Sequence, residues 1–153
     1  MTDTTDSTPP APAHPATALW VFVALALMGV AGALFFVSLR RSAGPPPSAI
    51  AKDPVLVRGR EVYLDRCASC HGQAGKGDGP TAKNLTGPPV GNLTDAEWKH
   101  GDRPGDVLNV VLNGVRDTQM PGWGPYIGPA DARAVTAYVY HLAGRSVPEA
   151  LRE

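Results

Sequence analysis

At 153 residues the chain has room for one small domain with appendages. Its 14 basic and 14 acidic side chains cancel, and no basic patch stands out, which argues against nucleic acid as a partner. Glycine and proline are abundant, at 17 and 16 residues, so much of the chain is expected to be loop.

Residues 1–15 are rich in Thr, Ser, Pro, Ala and Asp and have no apolar periodicity, the composition of a disordered tail. Residues 16–39, ATALWVFVALALMGVAGALFFVSL, form a run without a charge. As a helix this run would rise about 36 Å, enough to cross a hydrocarbon core with some tilt, and Trp20 falls near one end where an interfacial aromatic belongs. A cleavable signal peptide would want a basic start and a shorter apolar core, so an uncleaved transmembrane anchor is the expectation. Arg40 and Arg41 follow the run and are therefore no twin-arginine export signal. Residues 40–53 read as a Pro-rich linker, with Gly44-Pro45-Pro46-Pro47 as a short, stiff polyproline spacer.

A domain is expected over residues 54–145. Pro54 suits the first position of a helix capped by Asp53, and Leu56, Gly59, Val62, Tyr63 and Arg66 follow at helical spacing. Residues 72–91 are a Gly/Pro-rich loop. Thr94 and Glu97 suggest a capping box for a short helix over 94–100. Pro104 starts another helix, whose face of Val107, Leu108, Val111, Leu112 and Val115 ends near Gly114. A second loop covers 117–128. The last helix runs from Pro129 to Leu142, with Val135, Tyr138, Val139 and Leu142 on one side and Gly144 as its stop. Residues 146–153 form a C-terminal tail. No alternation of period two marks a strand, so the fold class is all-α.

Between the first helix and its loop stands Cys67-Ala68-Ser69-Cys70-His71, the C-x-x-C-H signature of c-type haem attachment. Two thiols at this spacing form thioethers to the two vinyl groups of one porphyrin, and His71 then lies where its imidazole can bind the iron. The motif uses both cysteines of the chain, which implies one covalently attached haem c. The competing readings are weaker. A Cys67–Cys70 disulfide is one, a thioredoxin-like pair would want a strand before the motif, and zinc would need His71 with His100 or His141 at a spacing no common zinc module uses. A domain this small has a meagre apolar core, and a haem would supply much of the missing buried surface. For the sixth iron position, Met1 is the start and Met28 lies in the apolar run, which leaves Met120 in the loop Gln119-Met120-Pro121-Gly122-Trp123-Gly124. His100 and His141 stay open as competing ligands. Without an axial thioether, a five-coordinate haem acting on a small gas or peroxide is the alternative function, and a structural subunit of a membrane redox complex is another.

The order CASCHG, Gly-rich loop, MPGWG and AYVYHLAG resembles a class I cytochrome c over about residues 54–144. More narrowly, NLTDAEWKHG followed by NVVLNGVRDTQMPGWG resembles a haem domain of the membrane-anchored dihaem subunit of cbb-type oxidases, with one C-x-x-C-H here instead of two. The resemblance implies a haem domain of about three to five helices after one N-terminal transmembrane helix. It implies one-electron transfer in a respiratory chain, as donor to or subunit of a terminal oxidase, with a terminal oxidase or cytochrome bc complex and the lipid bilayer as partners. It makes Gly59 and Tyr63 the residues that cross the last helix near Tyr138. It makes Pro88 or Pro89 the carbonyl that accepts from the axial histidine, and it sets Trp98 and Trp123 beside the haem. It also implies a single-pass protein of a bacterial cytoplasmic membrane with the haem domain on the periplasmic or outer side. Arg40 and Arg41 argue for the opposite orientation by the positive-inside bias. Covalent attachment outside the membrane outweighs two arginines.

Overall fold

The computed structural model describes residues 15–40 and 44–153, with side chains from 19 to 35 in the first stretch. Residues 1–14 of the expected tail and residues 41–43 of the expected linker lie outside the described residues. The chain divides into two compact units, residues 1–44 and 45–153. Among the described residues there are five α-helices and no strand. They are α1 (Pro15–Arg40), α2 (Pro54–Arg66), the single turn α3 (Ala68–His71), α4 (Pro104–Asn113) and α5 (Pro129–Leu142).

Helix α1 is the whole of the first unit's described structure. Every side chain described in it is exposed, Phe22 and Met28 to 70% and 72%. Within the described residues no helix is long and apolar enough to cross a membrane. In α1 the described side chains cover 19–35, while the uncharged run of the sequence continues from Ala16 to Leu39.

The second unit is built on the crossing of α2 with α5. Asp53 caps α2, its Oδ1 accepting from the amides of Val55 and Leu56 at 3.1 Å, and Pro54 fills the first helical position, where no amide is needed. Prolines open α4 and α5 in the same way. At the crossing, Gly59 lets the two backbones touch: a β-carbon there would sit 2.0 Å from the carbonyl oxygen of Ala134 and 2.9 Å from the Tyr138 β-carbon. One turn further along α2, the fully buried Tyr63 packs its ring on Tyr138 with centroids 5.4 Å apart. Helix α5 is central. Its residues from Ala134 to Tyr140 are all buried, including Thr136, which returns its hydroxyl proton to the carbonyl of Ala132 at 2.7 Å. Arg58 of α2 grips Asp131 of α5 with two hydrogen bonds of 2.8 and 2.6 Å.

The core reaches past the boundaries read from the sequence. Ile50, in the expected linker 40–53, is 1% exposed, and Leu151, in the expected tail 146–153, is 2% exposed. Arg152 closes the tail onto the α2 cap with a 2.7 Å bond to Asp53. Single apolar residues in polar stretches have no periodicity to announce their burial.

The expected helix over 94–100 does not form. Asn92 Oδ1 accepts from the amide of Thr94 at 2.9 Å and from its hydroxyl at 2.8 Å, an Asx-turn that occupies the groups the capping box would have used. Residues 93–102 are instead held as an irregular loop by contacts to the end of α5.

Candidate functional site

Helix α2 delivers the motif. The Cys67 amide still donates to the Tyr63 carbonyl at 2.8 Å, and the His71 amide donates to Cys67 O at 2.9 Å. Within one turn, positions i, i+3 and i+4 share a face, so Cys67, Cys70 and His71 all line the same cavity of about 390 Å³. The glycine-rich loop coils beneath this turn and satisfies its free carbonyls. Gly77, Gly79 and Thr81 donate to the carbonyls of His71, Cys70 and Ser69 at 2.8, 3.0 and 2.9 Å. Gly79 must be glycine for this, since a β-carbon would lie 2.4 Å from Ser69 O. The buried Tyr63 hydroxyl donates to Gly72 O at 2.7 Å and ties the loop to α2.

The His71 ring is oriented by backbone. Its Nδ1 lies 3.1 Å from the Gly91 carbonyl, which can only accept, so Nδ1 carries the proton and Nε2 keeps its lone pair. Burial lowers the His71 pKa, partly offset by the Gly91 bond, and the ring is held neutral, the form that ligates a metal. Burial, with Cys70 and Asp65 nearby, pushes the Cys67 thiol up to about 12.

The acceptor is Gly91, where the sequence reading named Pro88 or Pro89. The reason lies in the packing of two loops. The Leu93 amide donates to Gly75 O at 2.7 Å, and Gly77, at φ +77°, approaches so closely that a β-carbon would meet Val90 O at 2.5 Å. Residues 90–93 are thereby held against a loop that itself hangs from the His71 carbonyl. Gly91 O is the carbonyl brought into reach, while Pro88 and Pro89 line the cavity wall upstream.

The facing wall is the loop after α4. Gly114 (φ +71°) turns the chain, and its backbone lies so close to the returning segment that a β-carbon would be 2.5 Å from Met120 O. Val115 N–H donates to Met120 O, and Trp123 and Gly124 N–H donate to Val111 O and Leu112 O, at 2.9 to 3.1 Å. This staple sets Met120 and Trp123 on the cavity wall. Gln119 Nε2 crosses to Thr86 O at 3.2 Å and links the two loops at the rim. Of the competing ligands, His100 also borders the cavity, whereas His141 does not and lies against Tyr138. Among the described residues no group of three or more His, Cys, Asp and Glu is arranged to hold a metal ion. A second hollow of about 560 Å³ is open and shares His100, Val110 and Val115 with the first, but it contains no cysteine.

The donor set fits a c-type haem. Two thiols and an imidazole project from one turn, a thioether stands on the loop after α4, and the walls between include Val107, Val111, Val135 and Val139. Trp98 adds to the wall, its Nε1 donating to Leu93 O at 3.3 Å. Two features escaped the sequence reading: Gly91, which carries no signal, and Arg145, whose position after Gly144 was a readable helix stop.

The family model "Cytochrome C oxidase, cbb3-type, subunit III" matches residues 54–139, more than half of the chain. The Cbb3-type cytochrome c oxidase subunit FixP of Azorhizobium caulinodans is 35% identical over 91 residues, which are 60% of this chain and 28% of the relative. The Cbb3-type cytochrome c oxidase subunit CcoP of Cereibacter sphaeroides is 36% identical over 86 residues, 56% of this chain and 27% of the relative. The chain thus spans less than a third of the length of these relatives. A chain in the solved Kuenenia stuttgartiensis reducing HAO-like protein complex Kustc0457/Kustc0458 superimposes with a TM-score of 0.56 at 25% identity, over 65% of this chain and 47% of that one.

Proposed function

Since the chain belongs to the cbb3-type cytochrome c oxidase subunit III family, a family of c-type cytochrome domains, we propose that residues 45–153 form a monohaem electron carrier that serves a respiratory terminal oxidase. The observation that carries this reading is the convergence of Cys67, Cys70, His71 and Met120 on one largely apolar cavity. Cys67 and Cys70 would hold the haem covalently, and His71 and Met120 would ligate its iron. The bound haem supplies a one-electron ferric/ferrous couple. The protein's part is to keep His71 neutral and aimed through Gly91, to present the Met120 thioether, and to exclude water with the apolar wall. With both His71 and Met120 as ligands, a bound haem iron would have no position left for a substrate, which favours electron transfer over chemistry on a small molecule. The chain's one Cys pair would hold one haem. The family names oxidase subunits, which supports a terminal oxidase, or a cytochrome bc complex upstream of it, as the redox partner.

Helix α1 is the anchor in this proposal. Its 26 residues would rise about 39 Å, and its exposed Leu, Val and Phe side chains want lipid around them. It would cross a bacterial cytoplasmic membrane once, with the haem domain on the outer face.

The test is covalent haem staining of denatured protein. The wild type should stain and titrate as a one-electron couple. Substituting both cysteines by alanine should remove the stain, and a normally stained double variant would refute the assignment.

A further inference from the structure

Beyond Cys67, Cys70, His71 and Met120, one charged residue far from the motif braces the cavity wall from behind, against Trp98. Helix α5 ends in a Schellman turn: Gly144 takes φ +65°, its amide donates to His141 O at 3.0 Å, and the Arg145 amide donates to Tyr140 O at 3.0 Å. This reversal brings the Arg145 side chain back beside Tyr140, and both reach the loop 93–102. The Arg145 guanidinium donates to Ala96 O at 2.9 Å and to Asp102 Oδ2 at 3.1 Å, and its carbon lies 4.3 Å from the centre of the Trp98 ring. Tyr140, buried to 4% exposure, meets Trp98 edge-on with centroids 5.0 Å apart, and its hydroxyl donates to Asp102 O. Trp98 is itself a wall of the cavity.

We infer that Arg145 is a positioning residue for electron transfer: it clamps Trp98 as the cavity wall and so sets the reduction potential of the group held there. The inference rests on the haem reading above. The physical links are each simple. Indole is the best of the aromatic rings for a cation–π contact, and a guanidinium is the cation most often found over it. The planar fork lets Arg145 bond a carbonyl and a carboxylate on the loop at once, which a lysine ammonium does not reproduce. The loop has no helix of its own to hold Trp98, whose ring is fixed by its own bond to Leu93 O on one side and by the contacts to the α5 end on the other. A wall that admits water raises the local dielectric, favours the more highly charged ferric state and lowers the potential.

The test is a double-mutant cycle read by redox titration of the haem-loaded full chain. Arg145→Ala should keep covalent haem and lower the midpoint potential. Arg145→Lys should lower it to a similar extent, because the charge survives and the clamp does not. Trp98→Ala should lower it too, and adding Arg145→Ala to that variant should shift it no further. An unchanged potential in Arg145→Ala overturns the inference. So does a wild-type potential in Arg145→Lys, or additive shifts in the double variant, since either means that Arg145 acts through its charge alone. A wild-type protein that lacks covalent haem would instead refute the functional reading on which this one stands.

Discussion

Gly59 and the carbonyl of Ala134 are in direct backbone contact, and the α2–α5 crossing has no room for a β-carbon between them. The obstacle on the far side is main chain, which cannot rotate away as a side chain would. Gly59→Ala should therefore destabilise the domain by about 3 kcal/mol, despite the higher helix propensity of alanine. Thermal unfolding of the haem-loaded protein measures this, and a midpoint equal to the wild type would show that the helices separate freely.

Gly77→Ala examines the loop packing behind His71. A β-carbon at Gly77 would press on Val90 O and also meet the cost of φ +77°, so residues 90–91 should move away from the histidine ring. Losing the Gly91 acceptor makes the imidazole a weaker donor to iron, and the midpoint potential should rise. Pro88→Ala and Pro89→Ala should leave it close to the wild type. A shift in the proline variants with none in Gly77→Ala would return the acceptor role to the prolines.

Met120→Ala removes the thioether on the loop after α4. Attachment depends on Cys67 and Cys70, so the haem stain should persist. The iron should become open to carbon monoxide and the potential should fall, because thioether ligation stabilises the ferrous state. If carbon monoxide binding and potential are both unaltered, Met120 is no ligand, and His100 on the cavity rim becomes the residue to replace next.

Two carboxylates give the domain an acid dependence. At Asp131 the hydrogen bonds from Arg58 lower the pKa against a smaller effect of burial. At Asp53 burial raises the pKa, but the Arg152 bond and the amides of Leu56 and Val55 together outweigh it, and the net shift is downward. A depressed folded-state pKa contributes stability that is fully present above the unfolded value of about 3.9 and is lost as pH falls through the lower folded value. Denaturant midpoints should thus be flat above about pH 5 and fall below about pH 4. Asp53→Ala should cost about 1 kcal/mol at neutral pH through loss of the cap, and should flatten the acid limb. Equal wild-type and variant losses between neutral and acid pH would contradict this.

Orientation in the membrane is open to a direct measurement. Fused after Glu153, a reporter that works only outside the cytoplasm should be active, and one that works only inside should be silent. The opposite pattern would mean that Arg40 and Arg41 decide the topology by the positive-inside bias.

What the sequence by itself determined was local. The C-x-x-C-H spacing sets three functional groups on one turn, proline at the first position opens α2, α4 and α5, glycine past the last residue closes α4 and α5, and Met120 is the one methionine of residues 45–153. Each of these depends on residues within a few positions of one another, so it can be read before the chain is folded. The all-α class was legible for the same reason, whereas the Gly59 crossing, which joins residues far apart in the chain, was an expectation from the resemblance to class I cytochromes c. The tertiary structure alone decided which carbonyl faces His71, that Ile50 and Leu151 join the core, and that Arg145 lies over Trp98. Those outcomes are set by main-chain groups and lone side chains that meet across long stretches of sequence, 20 residues for His71 and Gly91 and 99 for Asp53 and Arg152. A backbone carbonyl is the same at every position, and only the packing of the loops selects Gly91 from its neighbours.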